Sequence, residues 1–364
     1  MKIVWISFGF REYSINHVGA LAENHDVLLV LPATKDSGLN EIVDPRVSLY
    51  YFREARLRQP FGQSRQCLAI VRKVREFGPD VVHLQQGHLW FNFAIPALRK
   101  YPLVMTIHDP RRHPGDAESQ KTPQWSQDFG FRQADRVIVH GKSLVNVVRD
   151  EIGIPENRVD VIPHIALGAL DPSPTRTEDD HNVLFFGRVW RYKGLEYLIM
   201  AEPLISKQIT DVRITIAGRG EDFDRYRQMM KNPERFEVLN SWISDDMRDE
   251  LFQRAAVVVL PYVSATQSGV VPVAYSYGKP VVATDVGALS EAVDHGRTGL
   301  LIPPRDAQAL AEAIITLLRD KRSRRKMGAN GRKKMQDEWV PDIVAHRTVE
   351  TYISAIRHRE SDKR

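Results

Sequence analysis

Short β-branched runs alternate with helical patterns along the chain, and one polar, proline-bearing break divides them into two sets. In the first half the runs are Lys2–Ser7, Asp26–Leu31, Asp80–Leu84, Leu103–Ile107, Arg136–Val139 and Arg158–Ile162. In the second they are Val183–Phe186, Val212–Ala217, Phe236–Leu239, Val257–Leu260, Pro280–Ala283 and Gly299–Ile302. Near-continuous apolar strands separated by helices are buried on both faces, which requires parallel sheets covered by helices. Between the sets, Asp171–Asp180 holds two prolines and reads as a linker. The pattern predicts an α/β chain of two doubly wound, Rossmann-like domains with six strands each. Their carboxyl edges would face across a cleft, the usual ligand position for such sheets. The expected boundaries are 1–168, a linker over 169–180, 181–338, and a terminal helix over 339–364.

Composition excludes several classes. The 364 residues are 43% hydrophobic and 27% charged, enough for two cores and unlike a disordered or disulfide-scaffold chain. Cys67 is the only cysteine, so no intramolecular disulfide and no two-thiolate zinc site forms. No apolar run approaches the roughly 20 residues that span a bilayer. Met1–Ile6 reads as a first strand rather than a signal peptide, giving the expectation of a cytoplasmic chain.

The net charge of +5 is unevenly spread. Arg53 to Arg75 holds seven Arg or Lys residues and one Glu. Cys67, Leu68, Val71, Val74 and Phe77 recur there at helical spacing, with Arg65, Arg72, Lys73 and Arg75 elsewhere on the wheel. This stretch is expected to meet the inner face of a membrane, as a peripheral contact, or an anionic acceptor. A second basic run, Arg319 to Lys334, reads as a solvated helix face. No nucleic-acid-binding motif accompanies the charge, and nucleic acid is not an expected partner.

Two segments carry the chemistry. In Phe185–Leu195 a strand ends, Gly187 allows close backbone approach, and Arg188 and Lys193 follow five residues apart before a helix. Arg grips phosphate through paired N–H groups and Lys acts as a point charge, so the two could converge on one dianion; two surface cations in a loop are the alternative. In Tyr262–Asp285 the chain leaves a strand, passes small polar residues and enters a helix near Ser268 that stops at Gly278. The free amides of Ser268, Gly269 and Val270 would favour an anion, alongside an N-cap by Thr266 or Ser268.

Taken together, Gly187-Arg188, Lys193-Gly194, Ala217-Gly218-Arg219-Gly220, Gly278-Lys279-Pro280-Val281-Val282 and Thr298–Pro304 resemble the family-4 (group 1) retaining nucleotide-sugar glycosyltransferases, which have the GT-B fold. Pro79–His83 and Thr106-Ile107-His108-Asp109 extend the resemblance into the first half. The resemblance implies transfer of a hexose from a UDP- or GDP-type sugar to a hydroxyl of a glycan or lipid-linked glycan. It gives Arg188 and Lys193 the departing diphosphate, and it places His108 under the donor sugar. Gly187, Gly218, Trp242, Ile243, Thr266, Gln267, Ser268, Gly269, Val270 and Glu291 would line the donor. Gly9, Phe10, Arg11 and Asp109 would lie on the acceptor side. The tail helix would cross back to the first domain. No cofactor and no metal are expected beyond the nucleotide sugar itself.

The chain departs from the family in two places. Two glutamates eight positions apart are typical before the Gly-Lys-Pro turn, and Ala265 and Val273 stand there. A glycine pair is common after the first strand, and this chain has Phe8-Gly9-Phe10-Arg11. The missing glutamates keep one alternative open, a catalytically degenerate sugar-nucleotide-binding or scaffold protein of the same fold. His108, Asp109 and His113 match no standard metal spacing, and Pro110 breaks any helix among them. Acceptor choice would lie in the segments Phe8–Val18, Leu57–Arg65, Gln86–Asn92 and Pro110–Gln124.

Overall fold

In the computed structural model the described residues are 1–33, 43–113, 122–172, 175–220 and 223–361. The strands are β1 (Lys2–Ser7), β2 (Asp26–Pro32), β3 (Ser48–Phe52), β4 (Val81–Gln85), β5 (Leu103–Thr106), β6 (Arg136–Val139) and β7 (Val159–Val161), then β8 (Asn182–Phe186), β9 (Arg213–Ala217), β10 (Phe236–Leu239), β11 (Val257–Leu260), β12 (Val281–Thr284) and β13 (Gly299–Ile302). The helices are α1 (Arg11–Leu21), α2 (Pro60–Phe77), α3 (Gln124–Arg132), α4 (Ser143–Val147), α5 (Leu195–Ser206) and α6 (Phe223–Met229), then α7 (Asp245–Arg254), α8 (Val270–Ser276), α9 (Leu289–Ala292), α10 (Ala307–Arg319), α11 (Lys321–Glu338) and α12 (Pro341–Ser361).

The strands form two parallel sheets, ordered β3-β2-β1-β4-β5-β6-β7 and β10-β9-β8-β11-β12-β13. Each reverses direction beside its first strand, between β1 and β4 and between β8 and β11. Ligands of doubly wound sheets bind at that switch point, outside the carboxyl ends. The first sheet has seven strands where the sequence pattern predicts six. The additional strand, β3, lies at the edge and, among the described residues, pairs only with β2. Its Leu-Tyr-Tyr-Phe sequence is half-exposed and lacks the Val/Ile run that marks strands buried on both faces. The Arg158–Ile162 run shortens to β7.

The chain divides into two compact units, one of Met1–Arg112, Glu118–Ile165 and Val340–Arg364, the other of His113–Ala117 and Ala166–Trp339. In the first, Val4, Ile6, Leu28, Val82, Met105 and Val137 from the sheet pack on Ile70, Val71 and Val74 of α2. The helix α12 packs on α1, β5 and β6 of this unit. Tyr352 Oη lies 2.7 Å from His83 Nδ1, and Arg359 Nε donates to Asp135 Oδ1 at 2.7 Å. No described helix is long and apolar enough to cross a membrane.

In the second unit, Leu310, Ile314, Leu317 and Leu318 bury one face of α10, whose first turn is capped by Asp306 accepting from Ala309 N at 2.9 Å. The linker segment is pinned rather than loose. Gln253 Oε1 accepts from the amides of Thr175 and Arg176 at 2.6 and 2.8 Å. Glu178 pairs with Lys279 Nζ at 2.6 Å and with Arg324 Nη2 at 3.0 Å, and Arg324 also reaches Asp180 at 2.5 Å.

The basic run of α11 is thus not wholly a solvated face, since the Arg324 side chain is only 1% exposed. Burial favours the neutral form of Glu178, but Lys279 and Arg324 outweigh it and hold the carboxyl below its ordinary range. Gly328 lets α11 approach this network, because a Cβ there would stand 1.8 Å from the Gly278 carbonyl. Breaking a buried ionic network from one side leaves a charge unpaired, at about 3–5 kcal/mol. Arg324→Ala is therefore expected to cost about 3 kcal/mol, the lower end because Lys279 remains, and to lower Tm by roughly 6–12 °C. Calorimetry checks this, and an unchanged Tm would refute the clamp.

Candidate active site

The second unit's switch point is built by two crossovers. After β8, Gly187 turns at φ 113° and donates to Ala217 O at 2.9 Å. Gly218, at φ 144°, makes this approach feasible: a Cβ there would sit 1.9 Å from the Gly187 carbonyl. A short turn over Arg191–Lys193 follows, then Gly194 and α5. After β11, the chain runs Pro261 to Gly269 into α8, and Val263 N donates to Tyr192 O at 2.8 Å, tying the two crossovers together.

The side chains converge on Tyr262 and Tyr192. Lys193 Nζ lies 3.8 Å from the Tyr262 ring centroid and 5.1 Å from that of Tyr192. Arg188 is exposed, its Nη2 within 3.4 Å of Tyr192 Oη. Tyr262 Oη stands 3.2 Å from Ser268 Oγ, and Ser268 Oγ accepts from Val270 N at 3.3 Å. Burial raises the Tyr262 phenol to about 12, with Ser268 and the charge of Arg188 pulling the other way. Lys193 and Ser268 therefore flank one buried phenol, and Arg188 stands on the neighbouring Tyr192 with its charge felt at Tyr262. Gly269 is the N-cap of α8, with no side-chain cap of its own.

The remaining donor-side residues spread along the same edge. Gln267 Oε1 is a buried acceptor with no hydrogen-bond partner among the described residues. Thr266 Oγ1 lies 3.3 Å from His113 Nε2, and its carbonyl accepts from Ala288 N at 3.2 Å. Glu291 is exposed on α9, its carbonyl accepting from Lys334 Nζ at 3.1 Å. Trp242 and Ile243 follow β10, two strands from β8, with Trp242 85% exposed. Ala265 and Val273 are both buried.

Tyr192 and Tyr262 have no expected role from the sequence, and His113 enters it only beside His108 and Asp109, at no standard metal spacing. His113 stacks on Tyr192 at 4.6 Å and also reaches Ser264 Oγ at 3.2 Å. An aromatic residue just past an apolar strand reads as core, so neither tyrosine carried a signal of its own.

In the first unit, Gly9 and Phe10 follow β1, and Phe10 adopts a left-handed conformation at φ 53°. A second glycine would take that conformation freely; here the phenyl ring stacks on His108 at 3.8 Å, which holds it. His108 is fully buried just beyond β5, its ring against Gln85 Nε2 and its amide donating to Gln86 Oε1 at 2.9 Å. Arg11 turns away from His108, donating to Pro32 O at 3.2 Å and lying 5.6 Å over the Tyr51 ring. The structure thus joins Gly9, Phe10 and His108 and sends Arg11 towards the β3 edge. Asp109 is half-buried, its charge felt by His140 and His164. Of the expected acceptor segments, Phe8–Val18 is loop only to Phe10 and Leu57–Arg65 only to Gln59, while residues 114–121 of Pro110–Gln124 lie outside the described residues.

Five imidazoles gather in this unit: His108, His140 and His164 just past the carboxyl ends of β5, β6 and β7, His83 within β4, and His17 on α1. His108 lies 4.8 Å from His140 and 5.9 Å from His164, whose rings are 5.1 Å apart. His17 and His83 pack on Trp5 at 4.7 and 3.9 Å. His140 Nδ1 donates to Ile162 O at 2.9 Å, while both His17 nitrogens are buried without a hydrogen-bond partner among the described residues. Burial, and then the neighbouring imidazoles, hold His108 and His83 well below the ordinary histidine range. Burial also lowers His17 and His140 to about 3 and His164 to about 4.

Two parallel doubly wound sheets, each with polar residues gathered along its carboxyl edge, match the GT-B fold, and solved structures agree. Sucrose-phosphate synthase from Thermosynechococcus elongatus superposes with a TM-score of 0.77 at 20% identity, over 97% of this chain and 98% of that one. The Anabaena protein HepE, solved with UDP-glucose, gives 0.73 at 20% identity over 97% and 100%. The family model described as Glycosyltransferase Family 4 matches residues 9–165, and the one described as Glycosyl transferases group 1 matches 180–320. The D-inositol 3-phosphate glycosyltransferase of Pseudarthrobacter chlorophenolicus is 30% identical over 306 residues, covering 77% of this chain and 72% of that protein. The glycogen synthase of Mycobacterium tuberculosis is 26% identical over 298 residues, covering 78% and 70%. The chain belongs to glycosyltransferase family 4 (group 1), and it is a glycosyltransferase.

Proposed function

We propose that this enzyme moves a hexose from a UDP- or GDP-type sugar to a hydroxyl of a glycan or lipid-linked glycan, with retention at the anomeric carbon. The observation that carries the reading is the gathering of Lys193 and Ser268 on Tyr262, with Arg188 on the adjoining Tyr192, at the second unit's switch point. Among the structural neighbours, HepE was solved with UDP-glucose, which supports a nucleotide-sugar donor here.

In this reading the diphosphate lies on Lys193, Arg188 and the amides of Ser268 and Gly269; the Val270 amide, expected free, is taken by Ser268 Oγ. Fixed cations and dipoles meet the charge that develops as the sugar–phosphate bond breaks. A glycosidase-type double displacement needs two carboxylates about 5–5.5 Å apart. The residues that gather on Tyr262 and Tyr192 are cations and hydroxyls. A same-face substitution suits them: the acceptor proton passes to a donor phosphate oxygen as the leaving group departs. Gly187, Gly218, Trp242 and Ile243 border the base, and Thr266, Gln267 and Glu291 take the hydroxyl contacts that glutamates supply elsewhere in the family. His108, kept neutral by burial, hydrogen-bonds a hydroxyl, with Gly9, Phe10 and Asp109 beside it.

Three experiments test the reading. A thermal-shift screen of UDP-, GDP- and ADP-sugars should give one clear stabilisation, since binding to the native state raises Tm by mass action. Gln267→Ala should raise the donor KM about tenfold, the loss of one hydrogen bond of roughly 1.4 kcal/mol, with kcat little changed. Because Arg188 and Lys193 meet the diphosphate charge, turnover is expected to survive EDTA; abolition by EDTA and rescue by Mg²⁺ would replace that part of the mechanism. Binding without any turnover would favour the degenerate scaffold.

A further inference from the structure

The basic stretch after β3 has two faces, and they differ in chemistry. On the outward side of α2, Phe61 and Leu68 are 87% and 68% exposed. On the side towards β3 lies a groove of about 860 Å³, lined by Tyr50, Tyr51, Arg53, Arg56, Arg65 and Gln66 among others. That is the size range of ligand pockets, roughly 300–1,000 Å³.

The groove is built rather than incidental. Two glutamines of α2 staple the loop that forms its wall: Gln66 Oε1 accepts from Ala55 N and Gln63 Nε2 donates to Ala55 O, both at 2.7 Å. Gln66 is only 6% exposed, and its Nε2 is a buried donor without an acceptor among the described residues. Arg53, Arg56 and Arg65 make no ion pair with a described residue, and the lining holds one acid, Glu54. Among the described residues the outer edge of β3 has no strand partner, which leaves backbone donors and acceptors along it. The lining contains no Leu, Ile, Val or Met, so it does not suit an acyl chain.

We infer that this groove is a subsite for an acidic oligosaccharide, whose carboxylate or phosphate groups are gripped by Arg53, Arg56 and Arg65. Arg supplies planar, paired N–H donors to such anions, and Gln66 Nε2 and the β3 edge suit sugar hydroxyls. The inference rests on the proposed acceptor and narrows it to a charged glycan. Its place in the unit is consistent with that. The loops after β1 and β3 leave the same carboxyl edge, and Arg11 reaches from the Gly9–Phe10 turn to the Tyr51 ring, 5.6 Å away. An acceptor chain could therefore extend from the His108 side into the groove.

The test titrates the full chain with hyaluronan hexasaccharide, with a galacturonate hexamer, and with neutral maltohexaose, by calorimetry at low salt. At least one charged hexamer should bind at least tenfold more tightly than maltohexaose. The R53Q/R56Q/R65Q variant should lose at least tenfold of that affinity at unchanged Tm, and Arg72→Gln, two turns further along α2, outside the lining and paired with Glu76, should lose none. Equal affinity for charged and neutral hexamers, no binding at millimolar concentration, or indifference to the triple substitution would each overturn the subsite. A further overturning result is sedimentation with phosphatidylglycerol vesicles that R53Q/R56Q/R65Q and F61S/L68S both abolish, with no saccharide binding; the stretch would then be a membrane surface. Donor stabilisation and turnover are measured separately. A chain that binds the charged hexamer but transfers no sugar would sink the enzymatic reading and leave the groove standing.

Discussion

Lys193→Ala and Arg188→Ala should each lower kcat at least a hundredfold and leave the thermal unfolding midpoint within a degree or two of the native chain. Removing one preorganised group that stabilises developing charge costs about 3–4 kcal/mol in other enzymes. The two cations stand at Tyr192 and Tyr262 without supporting the core, since Arg188 is exposed and Lys193 only half-buried. A purely structural role would move Tm and spare turnover, the opposite pattern. Lys193→Arg distinguishes charge from shape: the longer, planar head keeps the charge but cannot occupy the same point over the ring, so partial recovery is expected. Normal rates in either alanine variant would remove the phosphate assignment.

The second large effect is acid unfolding of the first unit, with a midpoint near about pH 5. The sign follows from where protons bind. In the unfolded chain each imidazole titrates near 6.5, whereas burial holds His17 and His140 to about 3, His164 to about 4, and His83 and His108 well down in the folded chain. Below pH 6.5 the unfolded state therefore takes up protons that the folded state refuses. Stability is fully present above that pH and falls as pH drops towards the folded values. Each imidazole costs about 1.4 kcal/mol per pH unit in that window, and several together approach the whole stability of a domain. Circular dichroism across pH 7 to 3 reads the midpoint, and a fold intact at pH 4 would refute the prediction. His17→Phe should move the midpoint lower, because it removes one of the refused protons and two buried nitrogens without hydrogen-bond partners.

Much of this was legible in the amino acids, and the rest was hidden for definable reasons. Strands buried on both faces announce themselves as Val/Ile runs, which is why β8 and β11 could be placed from sequence. The edge strand β3, open to solvent on one side, has no such run. Arg188 and Lys193 stand in a loop after a strand and before a helix, where phosphate chemistry is readable. Tyr262, beside them, looks like any aromatic residue of a core. Each strand-end histidine could be noted singly, but their gathering comes from parallel pairing, which sets carboxyl ends side by side. The same limit hid Glu178, Lys279 and Arg324, whose partners lie 101 and 146 positions apart. Phe10 shows the reverse case: a departure from the family pattern in sequence keeps, by stacking on His108, the left-handed turn that a second glycine would allow.

The return of α12 to the first unit also orders events during synthesis. The ribosome makes the first 165 residues early, yet the helix that covers α1 and meets His83 through Tyr352 emerges only after the whole second unit. The earlier-made half therefore lacks, until α12 has been made, the hydroxyl that meets His83 and the helix that packs on α1.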